Sequence, residues 1–194
     1  MRIVSGLVQV VFFGALIGVS LLAAGLIANR VPLTAPPGLF PRLVTYLTTN
    51  VAETSEHSPF PELRTRRYEA PAGLLFDVAR RAAQHLGWEV TSLDAEKREI
   101  RAIVKTRVWK FKDDVTIQTP PAQPSGSWLI VRSASRVGKG DLGANTRHIL
   151  DLVQAVDAMV PVPALNLRHE QAPQAGTQEE RSGDIEGKAG GSNG

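Results

Sequence analysis

Between residues 136 and 147 the chain reads Arg-Val-Gly-Lys-Gly-Asp-Leu-Gly-Ala-Asn-Thr-Arg. Gly138, Gly140 and Gly143 have the G-x-G-x-x-G spacing by which a dinucleotide-binding fold brings backbone N–H groups to a pyrophosphate at a helix N-terminus. That chemistry needs more than glycines. A second, parallel strand must follow the helix and carry an acidic residue about 20 residues on, to hold the ribose. Here Pro161 and Pro163 close the helix and a polar tail follows. Dinucleotide binding is therefore disfavoured and no cofactor is expected. The lack of G-K-[S/T] removes a P-loop as well. What remains is a tight turn between a strand and a helix.

Four side chains at this junction form a candidate ligand or partner patch: Arg136, Asp141, Asn145 and Arg147. Asp141 suits the N-cap of the helix, where its carboxylate also complements the helix dipole. Asn145 lies three residues after Leu142 and four before Ile149, so its amide falls on the buried stripe and must be satisfied. A bond to the backbone of the preceding loop would pin the junction. Asp113 and Asp114 are paired carboxylates, but neighbours in a turn point apart, and no His or third carboxylate has ligand spacing beside them. They read as a solvated turn. His57, His85, His148 and His169 are scattered, and neither H-E-x-x-H nor G-x-S-x-G occurs. No catalytic residue and no metal site is assigned. Trp88, Trp109 and Trp128 read as core or surface anchors, or as the lining of a ligand groove.

The elements that must position these groups follow from periodicity. Residues 66–69 read as a short strand. Leu75, Val78, Ala79, Ala82 and Leu86 then form one apolar stripe, with Pro71 at the helix start and Gly87 at its stop. Alternation predicts strands over residues 88–94, 99–110, 115–119 and 127–137. Between them lie a charged turn, the Lys112-Asp113-Asp114 turn and a Pro/Gly/Ser loop. A last helix runs from near Asp141 to Val160, with Leu142, Ile149, Leu152, Val153 and Val156 inward. The order β-α-β-β-β-β-α predicts an α+β fold: an antiparallel meander covered by two helices on one face, preceded by one transmembrane helix.

That transmembrane helix is read from residues 3–28, where Gln9 and two serines are the only polar side chains. As a helix the run is about 39 Å long, against about 30 Å of hydrocarbon. It also exceeds the roughly 7–15 apolar residues of a secretory signal, so an uncleaved signal-anchor over residues 1–30 is expected. The alternative is a signal cleaved near Ala24 or Ala28, where Leu26 and Ile27 make a poor A-x-A site. Arg2 flanks one side, Arg30 and Arg42 the other. A strict count favours a cytoplasmic C-terminal side by one charge. The overall shape is that of an export signal, which predicts an extracytoplasmic domain on the cell membrane. Gly14 and Gly18 have the spacing that lets two such helices pair as a weak dimer.

Residues 31–59 read as a Pro-rich spacer. Within it Phe40, Leu43, Val44 and Leu47 recur at helical spacing behind Pro36, Pro37 and Gly38. This short amphipathic segment either lies on the membrane surface or packs on the domain. Residues 48–59 read as linker, 60–160 as the α+β domain, and 161–194 as a disordered tail with almost no large apolar groups. A length of 194 residues allows one compact domain plus such accessories. The net charge of +3 is too small and too dispersed for a nucleic-acid stripe. With no cysteine in the chain, disulfides, thiolate metal sites and Cys nucleophiles are excluded.

Four segments are familiar together: Pro59-Phe60-Pro61-Glu62-Leu63-Arg64, Leu86-Gly87-Trp88-Glu89-Val90, Phe111-Lys112-Asp113-Asp114-Val115, and the run from Ser133 through Gly138 and Asn145 to Arg147. They resemble the domain of unknown function 1499 family over about residues 59–157. The resemblance implies a bacterial (or plastid-related) envelope-associated domain and supplies no catalytic residues. The resulting expectation is a membrane-anchored envelope domain that binds a protein partner or a lipid without catalysis. The alternative is a small hydrolase or ligand-processing enzyme built on Arg136, Asp141, Asn145 and Arg147.

Overall fold

The structure is a computed structural model and describes residues 2–106 and 110–161. Strand β6 (Ser127–Ser135) is the axis of one antiparallel sheet. Along one edge of it lie β5 (Lys112–Gln118), β4 (Glu99–Lys105) and β3 (Glu89–Asp94) in turn. Two short strands pair with its other end-to-end stretches: β1 (Val51–Glu53) with Arg132–Ala134, and β2 (Arg66–Tyr68) with Ser127–Leu129. Helices α3 (Ala72–His85) and α4 (Ala144–Met159) pack on each other and on the sheet. This is the α+β architecture with a meander that periodicity predicts. Ahead of it stand α1 (Arg2–Asn29) and α2 (Leu39–Thr48). Helix α1 is long and apolar enough to cross a membrane.

Alternation builds the core. Ile100, Ala102 and Val104 of β4 are buried while Arg101 and Lys105 are exposed. Val115 and Ile117 of β5 and Leu129 and Val131 of β6 continue the same layer. Leu75, Val78, Ala79 and Ala82 of α3 and Ile149, Leu152, Val153 and Val156 of α4 close over it. Each such large side chain contributes about 1.5–3 kcal/mol by leaving water. Gly87 takes a left-handed φ of 71°, and the Trp88 N–H returns to the Ala83 carbonyl, which ends α3 where the sequence places its stop. At the far end of α4, Asp157 accepts bonds from the Tyr68 hydroxyl and from Arg66, both at 2.7 Å. Burial pushes the Tyr68 phenol well above its usual range, so it stays a donor.

Several local expectations are corrected. Residues 51–53, within the stretch read as linker, are β1 and belong to the sheet. The chain between β1 and β2 bulges away from β6 and closes on itself, with Ser55 bonded to both Leu63 and Thr65. Lys112, Asp113 and Asp114 are not a turn but the first residues of β5. Helix α4 starts at Ala144, so Leu142 lies outside its stripe and Gly143, not Asp141, is its N-cap residue. The disorder expected for the tail falls outside the described residues, as does Trp109.

Candidate functional site

The strand–helix junction is a buried polar network. Ser133 faces the core from β6 and donates from its hydroxyl to Asn145 Oδ1 at 2.6 Å. Asn145 Nδ2 in turn donates to Ser135 Oγ and to the Asn50 carbonyl, both at 2.9 Å. The amide is fully buried and used at both ends. The pin expected from the sequence exists, but its partners are β6 and the start of β1 rather than the preceding loop. Asp141 holds the helix start from outside it: one oxygen accepts the Gly143 N–H at 2.8 Å, the other the Asn145 N–H at 3.0 Å. Desolvation raises the pKa of this carboxyl, and those N–H groups oppose the shift only in part.

The glycine motif serves this packing. A Cβ at Gly140 would sit inside the contact shell of the Leu47 carbonyl, so α2 approaches the loop at a distance only glycine permits. Gly143 combines a φ of 82° with close contact to Val31. Between them Leu142 rests on Gly25 of α1, and its carbonyl accepts the Asn29 side chain at 3.0 Å. The loop that spells a cofactor signature is therefore a seat for the end of α1 and for α2. Among the described residues no parallel strand completes a dinucleotide unit.

Two clefts flank the junction. The first, about 250 Å³, lies between α2, β1 and the 54–60 bulge; Tyr46, Val51, Ala52 and Phe60 wall it, with Asp141 and Thr146 beside them. Its α2 wall is fixed by Arg42, which is fully buried. The Arg42 guanidinium binds both oxygens of Glu62 at 2.5 and 2.9 Å and the Tyr46 hydroxyl at 3.0 Å. It also donates to the Ala35 and Pro36 carbonyls and lies 4.8 Å from the Phe60 ring centroid. The second cleft, about 340 Å³, is lined by Trp88, Glu89, Lys105, His148 and Asp151. His148 Nε2 is 3.0 Å from Asp113 Oδ2, and the Trp88 ring meets the imidazole edge-on at 6.2 Å. Asp113 is fully buried, and its Oδ1 has no hydrogen-bond partner among the described residues.

A family model described as "Protein of unknown function (DUF1499)" matches residues 44–156, more than half of the chain. The chain belongs to that family. No curated relative matches it. The match begins inside α2 and ends inside α4, so it takes in β1 as well as the meander.

Within this DUF1499 domain the four candidate residues take different partners. Arg136 makes a bidentate pair with Asp114 on the exposed side of β5, at 2.9 and 2.6 Å. Arg147 pairs with Asp151 one turn along α4. Asn145 is consumed by the network, and Asp141 lines the first cleft. The sequence reading of Asp113-Asp114 as a solvated turn is wrong for Asp113, which is a core residue paired with a histidine. Its signal was present: the alternation that turns Val115 and Ile117 inward also turns Asp113 inward. His148 likewise stands four residues before Leu152 on the same helix stripe. Arg42 carried no such signal, because only the tertiary structure brings Glu62 to it.

Proposed function

We propose that this protein is a membrane-anchored, non-catalytic binding domain, held by α1 on the extracytoplasmic side, that takes an apolar segment of an envelope lipid into the first cleft. The observation that carries this reading is the cleft itself: mostly apolar walls, a fixed α2 side, and a position next to the seat of the anchor. At about 250 Å³ it is smaller than the roughly 300–1,000 Å³ that houses a drug-sized molecule. An acyl chain segment fits that size better than a cofactor. The non-catalytic part is supported by the junction side chains, whose polar atoms hold one another and the backbone instead of facing a substrate. Gly14 and Gly18 are open on the surface of α1, so weak pairing of two anchors is part of the same reading.

The test is photocrosslinking of the full chain in its native membrane with a diazirine fatty acid. Crosslinks mapping to α2 and the 54–60 bulge, and lost on filling the cleft by Ala52→Phe, are expected. Labelling that ignores Ala52→Phe, or maps instead to a protein partner, would replace the lipid reading. A reporter fused after Gly194 tests the side: activity only in the cytoplasm reverses the orientation.

A second reading, a ligand-processing enzyme, draws on the Asp113–His148 pair beside the second cleft, since a carboxylate-oriented imidazole is the usual general base. Turnover of p-nitrophenyl esters or phosphates by the full chain, abolished in His148→Gln, would favour it. Equal background rates for both proteins would retire it.

A further inference from the structure

Helix α2 is amphipathic in the opposite sense to a helix packed on a soluble core. Its inward face carries a guanidinium and a phenol, Arg42 and Tyr46, both buried. Its outward face carries Leu39, Phe40, Val44 and Leu47, exposed to 51, 77, 44 and 42%. In water this helix is docked through Arg42 and Tyr46, while the apolar stripe that ordinarily drives docking is the part left out.

The position of α2 says what covers that stripe. The loop from Gly140 to Leu142 touches the Leu47 carbonyl at one end and Gly25 of α1 at the other. Gly25 is four residues, about 6 Å along a helix, before Asn29, the end of the candidate membrane span. The C-terminal end of α2 is therefore held level with the last turn of that span, at headgroup depth. Val137, 64% exposed, lies in the same junction loop, and the exposed cations Arg30 and Lys139 stand at this end of the domain. An apolar stripe with neighbouring cations at the end of a span is the pattern of an interfacial helix.

We propose that the outer face of α2, with Val137, lies in the bilayer interface as a second membrane contact, so that the domain is docked on an anionic lipid surface in one orientation. This rests on α1 being a membrane span but not on the contents of either cleft. Tethering by α1 makes the docking intramolecular, so a stripe of four side chains suffices where a free helix of this length would bind weakly.

The absence of cysteine allows single-site labelling. Full chains carrying Phe40→Cys, Val44→Cys, Leu16→Cys or Leu93→Cys, each at an exposed position, would be nitroxide-labelled. They would be reconstituted in phosphatidylcholine–phosphatidylglycerol vesicles. The readout is collision with oxygen relative to a water-soluble nickel chelate. Labels at 40 and 44 are expected several-fold above the label at 93 and below the label at 16, which lies near the middle of the candidate span. Wet labels at 40 and 44 with a lipid-exposed label at 16 overturn the proposal, whereas a wet label at 16 overturns the span beneath it. Spin–spin broadening at 40 and 44 that disappears on dilution with unlabelled protein would assign the face to a second copy, and so also overturn it. Arg30→Glu with Lys139→Glu should lower the accessibility ratio at 40 in anionic vesicles and leave it unchanged in phosphatidylcholine alone.

Discussion

Along α4, Asn145, Thr146 and His148 near its start point inward, and after them Ile149, Leu152, Val153 and Val156 point inward. All seven side chains are buried. The apolar part is held by area removed from water, which has no direction and tolerates small shifts of the helix. The polar part is held by hydrogen bonds, which fail within a few tenths of an ångström or a few tens of degrees. The polar part and the loop leading into it are also where the N-terminal elements attach: the end of α1 through Leu142, α2 through Gly140, and the start of β1 through the Asn50 carbonyl. The apolar end of the helix holds the layers together, and the polar end with its loop seats α1 and α2.

This contrast can be broken from either side by urea unfolding of the full chain in detergent. Leu152→Ala removes a fully buried side chain from the apolar part; a loss of about 3–5 kcal/mol is expected, with no change in the accessibility of the spacer to protease. Arg42→Met leaves Glu62 in a largely buried place without its cation. A loss of about 3 kcal/mol is expected, accompanied by faster cleavage around residues 31–50. Unchanged cleavage there would show that Arg42 does not hold α2. Asn145→Ala leaves the Ser133 hydroxyl and the Asn50 carbonyl without their partner, at about 1–3 kcal/mol. Pairing it with Ser133→Ala should give less than the sum of the two single losses; strict additivity would mean the network is not a unit.

The smallest effect expected is at Asp141. Burial holds its carboxyl above the ordinary value, so folding favours the protonated form. Its contribution to stability is full below the unfolded pKa and is lost as pH rises through the folded one. Relative to Asp141→Asn, the wild-type chain should gain stability as pH falls from neutral toward the ordinary carboxyl range. A stability difference that is flat with pH would show that the backbone N–H bonds fully offset the burial. Asp141→Ala, which loses the bonds to the Gly143 and Asn145 N–H groups at every pH, should be less stable by about 1 kcal/mol.

Periods of two and near four along the chain were enough for α3, the meander and the apolar half of α4, because burial of one face leaves a mark at each residue that makes it. The amide on the α4 stripe was legible for the same reason, as were the apolar length of α1 and the stop at Gly87. Asp113 and His148 obey the same periods and were hidden only by their polarity, since a charged residue at an inward position looks like the edge of a turn. Nothing local could show that β1 joins β6, that Glu62 meets Arg42, or that Gly140 and Gly143 face α2 and Val31 rather than a phosphate. Those are contacts between segments far apart in sequence, each made by single side chains or by backbone, and a single contact leaves no period. The sequence alone therefore determined the layers and an N-terminal helix long and apolar enough to cross a membrane. The tertiary structure decided that the glycine signature is a seat and that α2 turns its apolar side outward, because both depend on what distant chain lies opposite.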